Sequence, residues 1–126
     1  MARVDDIWQR DGEHCVWCSA ASWVRDRTVE HLLPRSRGGR SGPHNLLPAC
    51  RACNRARRSQ GAAAYARRRI EDGREVDVEL LLAGLGRLAA DGTPAERHYG
   101  ERQGRMVRDW CAAERALAAH LERFAA

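Results

Sequence analysis

The sequence predicts an α+β chain, with a small strand-loop-strand-helix module over residues 1–60 and an α-helical extension over residues 61–126. Three observations carry this reading. Two Cys-x-x-Cys pairs, Cys15/Cys18 and Cys50/Cys53, bracket a stretch of β-branched and aromatic residues with turn formers at its centre. An Ala- and Arg-rich segment follows the second pair, and beyond Gly61 apolar residues recur at helical spacing. At 126 residues the chain is one domain or a small module plus an appendage, which excludes a large multi-domain enzyme.

The elements follow in order. Val4, Ile7 and Trp8 lie at helical spacing before Asp11-Gly12, so residues 3–11 are expected to form a short helix leading into the first knuckle. Trp23–Leu33 reads as a strand closed by Pro34, and Arg35–Pro43 as a turn-rich loop. Asn45-Leu46-Leu47 returns as a second strand ending at Pro48, and Ala49–Gln60 is a helix with the second knuckle in its first turn. Helices are then expected over Ala62–Ile70, Val78–Ala90 and Pro94–Phe124. In the last, Val107, Trp110, Cys111, Leu117, Leu121 and Phe124 form a stripe read as packing surface, while Gly100 and Gly104 weaken its first half toward fraying or a loop.

Charge is distributed unevenly. All 22 basic residues are arginine, and against 17 acids they leave a net charge of +5. Residues 1–60 hold 11 Arg and 6 acids, residues 61–126 hold 11 of each, and the stretch His31–Ile70 has 10 Arg and no acid. Such a field attracts phosphate, which arginine can grip bidentately. The mean hydropathy of -0.61, and the shortness of Leu80-Leu81-Leu82 as the longest aliphatic run, argue against a membrane span of about 20 residues. Asp5 and Asp6 stand where a secretion signal would be apolar, so the expected location is cytoplasmic. In that compartment two Cys-x-x-Cys knuckles supply four thiolates for one tetrahedral Zn²⁺ more readily than disulfides, leaving Cys111 as a small apolar residue.

Glu30-His31-Leu32-Leu33-Pro34-Arg35-Ser36-Arg37-Gly38-Gly39, Asn45-Leu46 and Cys50-Arg51-Ala52-Cys53-Asn54 together resemble the signature of HNH endonucleases. The resemblance covers roughly Ile7–Ser59 and implies the ββα-metal fold with a four-cysteine zinc clasp. It implies a metal-dependent enzyme hydrolysing DNA phosphodiester bonds, with His31 as general base, Glu30 and Asn54 as ligands of one catalytic Mg²⁺ or Mn²⁺, and Asn45 bracing the loop that carries His31. The residue chemistry agrees: an imidazole can take a proton from water near neutral pH, and carboxylate and amide oxygens are hard ligands suited to Mg²⁺. This chain is a His-Asn-Asn variant, with Glu30 where Asp is common and Arg57 or Arg58 where Lys often stands.

Arg35, Arg37, Arg40, Arg51, Arg55, Arg57 and Arg58 are the candidate contacts to DNA, mostly through its phosphate backbone, and RNA is a further candidate. The alternative is a catalytically inactive, zinc-stabilised nucleic-acid-binding or adaptor module, which has no need of Glu30, His31 and Asn54. Trp8, Trp17 and Trp23 are expected to pack around the clasp rather than stack on bases. His44 is read as facing phosphate or solvent, and His14, His98 and His120 are left outside the site. The helical extension is the candidate surface for a protein partner or for self-association.

Overall fold

The computed structural model describes residues 3–125; Met1, Ala2 and Ala126, at the outer edges of the two expected regions, lie outside the described residues. Helix α1 spans Val4–Arg10, strands β1 and β2 span Arg27–His31 and Leu46–Cys50, and helices α2 to α5 span Arg51–Arg57, Ala62–Glu71, Val78–Asp91 and Pro94–Phe124. The fold is α+β: one two-stranded antiparallel sheet, with Arg27 opposite Cys50 and His31 opposite Leu46, surrounded by helices.

The first strand is shorter than the sequence suggests. Val24–Asp26 forms a 3₁₀ turn, so the regular ladder begins only at Arg27. The second strand is longer, because Pro48 does not stop it. In a two-stranded sheet each strand has a free edge, where a missing N–H costs no ladder bond. Pro48 lies opposite Val29, and its carbonyl accepts from Val16 N (2.9 Å), tying the first knuckle to the hairpin. Helix α2 starts later than expected, with Cys50 as N-cap and its sulfur accepting from Cys53 N at 3.4 Å.

The extension is not an appendage in packing terms. Leu32, Leu33, Leu47 and Ala49 of the hairpin are buried, and they share one continuous core with Leu81, Leu85 and Leu88 of α4 and Tyr99 and Val107 of α5. The hairpin, too poor in apolar residues to bury itself, is covered from across residue 60. Gly84 permits the close approach, since a Cβ there would lie 2.8 Å from Leu47 Cδ1.

Helix α5 is continuous through Gly100 and Gly104, where fraying was expected. Gly100 serves contact instead: a Cβ there would lie 2.7 Å from Leu85 O and 2.8 Å from Ala89 N, so α5 and α4 touch backbone to backbone. The helix is started by a capping box, with Thr93 Oγ1 accepting from Glu96 N and Glu96 Oε1 accepting from Thr93 N (3.3 and 2.9 Å), and Pro94 follows the cap. The packing stripe is only half used. Val107 is buried and Trp110 and Cys111 are half-buried, but Leu117, Leu121 and Phe124 are exposed, because α5 runs past the end of α4 with nothing against it among the described residues.

Candidate active site and metal centre

At the Arg27 end of the hairpin the four cysteines converge. The Sγ atoms of Cys15, Cys18, Cys50 and Cys53 all lie within 4.8 Å of one another. Four sulfurs about 2.3 Å from a tetrahedral Zn²⁺ would be about 3.8 Å apart, and Cys18 Sγ and Cys50 Sγ are separated by 3.9 Å. Their acidities also suit a cation. A hydrogen bond from Cys53 is the main force drawing the Cys15 thiol down to about 5, whereas burial pushes Cys18 up and the Cys15 sulfur pushes Cys53 up. One thiolate therefore forms readily, and further negative charge awaits a positive ion.

The other end, four residue pairs away, holds the titratable cluster. Glu30, His31 and Asn54 line a cleft of about 360 Å³ together with Pro34, Arg35, Ser36, Arg58 and Ser59. Asn54 reaches across from α2, its Nδ2 donating to Thr28 Oγ1 and Val29 O, both at 3.1 Å. Two acceptors on the nitrogen fix the amide's orientation and leave Oδ1 without a hydrogen-bonding partner among the described residues. His31 Nε2 lies 2.9 Å from Ser41 Oγ, which orients the ring; in the tautomer where Nε2 carries the hydrogen and donates to Ser41, Nδ1 is the proton-accepting nitrogen. Burial, assisted by the charges of Arg35 and Arg57, holds the His31 imidazolium below its ordinary pKa, so the ring is neutral at pH 7.

The loop behind His31 is fixed by Asn45. This fully buried amide accepts from Leu33 N (2.9 Å) and donates to Leu33 O (3.0 Å) and Arg40 O (2.9 Å). Gly39 fits beneath it because a Cβ would fall 1.7 Å from Leu33 O. Outside this loop, His44 does not face phosphate or solvent; its Nε2 lies 2.9 Å from Glu96 Oε1, while Arg40 N donates to Glu96 Oε2 at 3.0 Å. Burial raises the Glu96 carboxyl, but hydrogen bonds from Thr93, Arg40 and His44 outweigh it and leave the group below the ordinary range.

Glu30 is the most constrained member. It is 2% exposed, with Oε2 accepting from Trp17 Nε1 (2.8 Å) and Oε1 accepting from Arg57 Nη1 (2.7 Å). Burial pushes its carboxyl upward, and Arg57 and Trp17 oppose that shift. An ionised carboxylate offers about four acceptor positions. Two are taken and two remain, so Glu30 and Asn54 Oδ1 are oxygen donors of the kind that would suit a hard divalent cation.

Residues 15–67 match the sequence model of a known family, the HNH endonucleases. The match takes in both cysteine pairs, Glu30, His31, Asn45 and Asn54, so this segment is similar to the HNH endonucleases. The fold is also similar, at TM-score 0.50 and 20% identity over 82% of this chain, to the crystal structure of the type II-C Cas9 enzyme from Actinomyces naeslundii. That likeness speaks to fold alone, and this chain spans 10% of the length of the Cas9 chain. No curated protein matches the sequence.

Within the segment that matches the HNH model, Arg57 departs from the expected phosphate contact. It is fully buried, and all five guanidinium donors are used: Nε to Gln60 O, Nη1 to Glu30 Oε1 and His31 O, Nη2 to Leu32 O and Tyr99 Oη. Arg57 braces Glu30 and the backbone on both sides of the β1 exit. Helical spacing held the clue, since positions 50, 53, 54 and 57 share one face of α2, and the first two are cysteines of the clasp. Arg35, Arg37, Arg40, Arg51, Arg55 and Arg58 are exposed. Arg58 sits at φ 56°, a left-handed C-terminal position that favours glycine, and lines the cleft. Ser41, which touches His31, lies outside the motif and was not singled out by the sequence, and Trp17, expected only to pack around the clasp, also donates to Glu30. Trp8 and Trp17 are buried as expected, but Trp23 is 79% exposed and packs against nothing around the clasp.

Proposed function

We propose that the protein is a metal-dependent HNH endonuclease that hydrolyses DNA phosphodiester bonds. The observation that carries this reading is the shared cleft, in which the neutral, Ser41-tethered His31 stands beside the unpartnered Asn54 Oδ1 and the carboxylate of Glu30. His31 accepts the proton of the attacking water; Asn54 and Glu30 hold one Mg²⁺ or Mn²⁺; Asn45 keeps the loop in register behind His31. A bound divalent ion supplies charge stabilisation at the scissile phosphate and the leaving oxygen. Arg35 and Arg58, on the rim of the same cleft, hold the flanking phosphates, and Arg37, Arg40, Arg51 and Arg55 extend the cationic surface.

The cysteines hold a structural Zn²⁺ in a closed site with no position for substrate. Four thiols at ligand spacing suit a reducing cytoplasm, and no helix among the described residues is long and apolar enough to cross a membrane. The exposed Leu117, Leu121 and Phe124 offer α5 to a protein partner or a second copy.

One observation favours a second reading: the engagement of Glu30 by Arg57 and Trp17 would suit an inactive module that binds nucleic acid without cutting it. Nicking of supercoiled plasmid DNA decides between them, run with added Mg²⁺ or Mn²⁺ and with EDTA, and with an RNA substrate in parallel. The endonuclease predicts metal-dependent nicked circles. Intact plasmid under every metal condition, with salt-sensitive DNA binding retained, would establish the inactive module.

A further inference from the structure

Trp23 is 79% exposed and its neighbour Val24 70%, an unusual pairing for the surface of a small chain whose other large aromatics near the hairpin are buried. The backbone beneath them is held in place. Asp26 N donates to Trp23 O (2.8 Å), Arg27 Nε to Ser22 O (3.2 Å), and Arg51 Nη2 to Arg25 O (2.7 Å). The indole is thus presented on a fixed turn slung between the cysteine clasp and β1.

The surroundings are cationic. Ser22, next to Trp23, shares a shallow hollow with Arg51 and Arg55 of α2, and Arg25 lies on the other side. Asp26 is the one acid in that hollow, and Arg25, Arg51 and Arg55 form no ion pair with a carboxylate among the described residues. Arg51 and Arg55 recur at i and i+4 on the exposed face of α2, and Arg58, just past the end of that helix, is on the rim of the His31 cleft. Exposed arginines therefore lie between the two places, Arg58 on the rim of that cleft and Arg55 and Arg51 in the hollow beside Trp23.

We propose that Trp23 is a stacking platform for an unpaired nucleobase, positioned so that a strand whose phosphates follow Arg58, Arg55 and Arg51 places a base on the indole a few nucleotides from the scissile bond. Arginines supply the sequence-independent grip, and the aromatic face adds a preference for single-stranded or locally opened DNA over intact duplex, because only an unpaired base can leave its own stack. The inference rests on the nucleic-acid reading of the HNH module but not on its turnover.

Binding of a fluorescein-labelled single-stranded oligonucleotide, and of the same sequence as duplex, is measured by anisotropy without added Mg²⁺ on zinc-replete protein. Stacking worth about 1–3 kcal/mol per base predicts that Trp23→Ala weakens single-strand binding roughly 5- to 150-fold while duplex binding changes less than about twofold, and that Trp23→Phe recovers most of the loss. Unchanged single-strand binding in Trp23→Ala overturns the proposal. So does an equal loss on both substrates, which would make the residue a general part of the surface, or a loss of self-association on sedimentation, which would assign the patch to a second copy. Plasmid nicking is scored separately, so a protein that stacks bases without cutting, or cuts without stacking, is recognised as such.

Discussion

The two ends of the hairpin hold two clusters of ligand-type side chains built on opposite plans. At the Arg27 end, four cysteines meet within 4.8 Å of one another, each supplied by a knuckle a few residues long. At the His31 end, Glu30, His31 and Asn54 reach one cleft, but what orients them comes from far along the chain: Arg57 to Glu30, Ser41 to His31, and Tyr99 of α5 behind Arg57. The first cluster is closed and needs only a cation to satisfy it. The second is open, and its geometry depends on the helical extension. Structural metal sites can be written locally in a sequence, whereas a reactive site needs a supporting shell drawn from the whole fold.

Removing a ligand from the closed end should have the largest consequence. Cys50→Ser keeps a side-chain N-cap acceptor for α2 but removes one of the four thiolates, and should leave residues 1–60 unfolded, with bound zinc falling from about one per chain to well below that; a folded variant that retains stoichiometric zinc would show that the clasp is not the staple. At the open end, Arg57→Met strips Glu30 of its counter-charge while roughly keeping volume. Leaving one buried charge unpaired costs about 3–5 kcal/mol, measurable as a fall in the denaturation midpoint, and a variant as stable as wild type would contradict the bracing role.

A smaller effect is expected at Glu96, which links the Arg40–His44 loop to α5. Its folded pKa is lowered, so its contribution is present above the unfolded carboxylate value and is lost as pH falls through the folded one. Glu96→Gln should cost about 1–3 kcal/mol at pH 7, and the gap to wild type should close as pH is taken below about 4; a pH-independent gap would remove the charge from the argument. Smallest is the loss of one exposed arginine. Arg37→Ala should weaken duplex binding by a similar factor on unrelated sequences and flatten the plot of log K against log salt by about one unit. A loss confined to one sequence would mean that Arg37 reads bases.

How far the sequence foretold this molecule follows the same contrast. The convergence of the four cysteines, the neighbourhood of His31 and Asn54, and the limits of α5 were legible because spacing, motif order and a Thr-Pro-x-Glu start express them within a few residues. Arg57 was misread as a phosphate contact because its partners lie up to 42 residues away, and an arginine in an acid-free run looks solvated until the helix face it occupies is traced. The apolar period of α5 continues through Phe124, yet Leu117, Leu121 and Phe124 are exposed; periodicity reports which face could be buried, not whether anything arrives to bury it. Trp23 failed in the same way, since composition placed it beside the clasp and only the 3₁₀ turn at Val24–Asp26 turns it outward.

The central claim, that the open end is a reaction site organised around His31, is tested most directly by His31→Ala in the plasmid-nicking assay at saturating Mg²⁺, with zinc content and DNA affinity measured on the same preparation. Loss of a positioned general base is worth about 10²- to 10⁴-fold in rate. The account predicts a fall in nicking of that size with about one zinc per chain retained and DNA affinity within about twofold of wild type. Nicking by His31→Ala at the wild-type rate would contradict it.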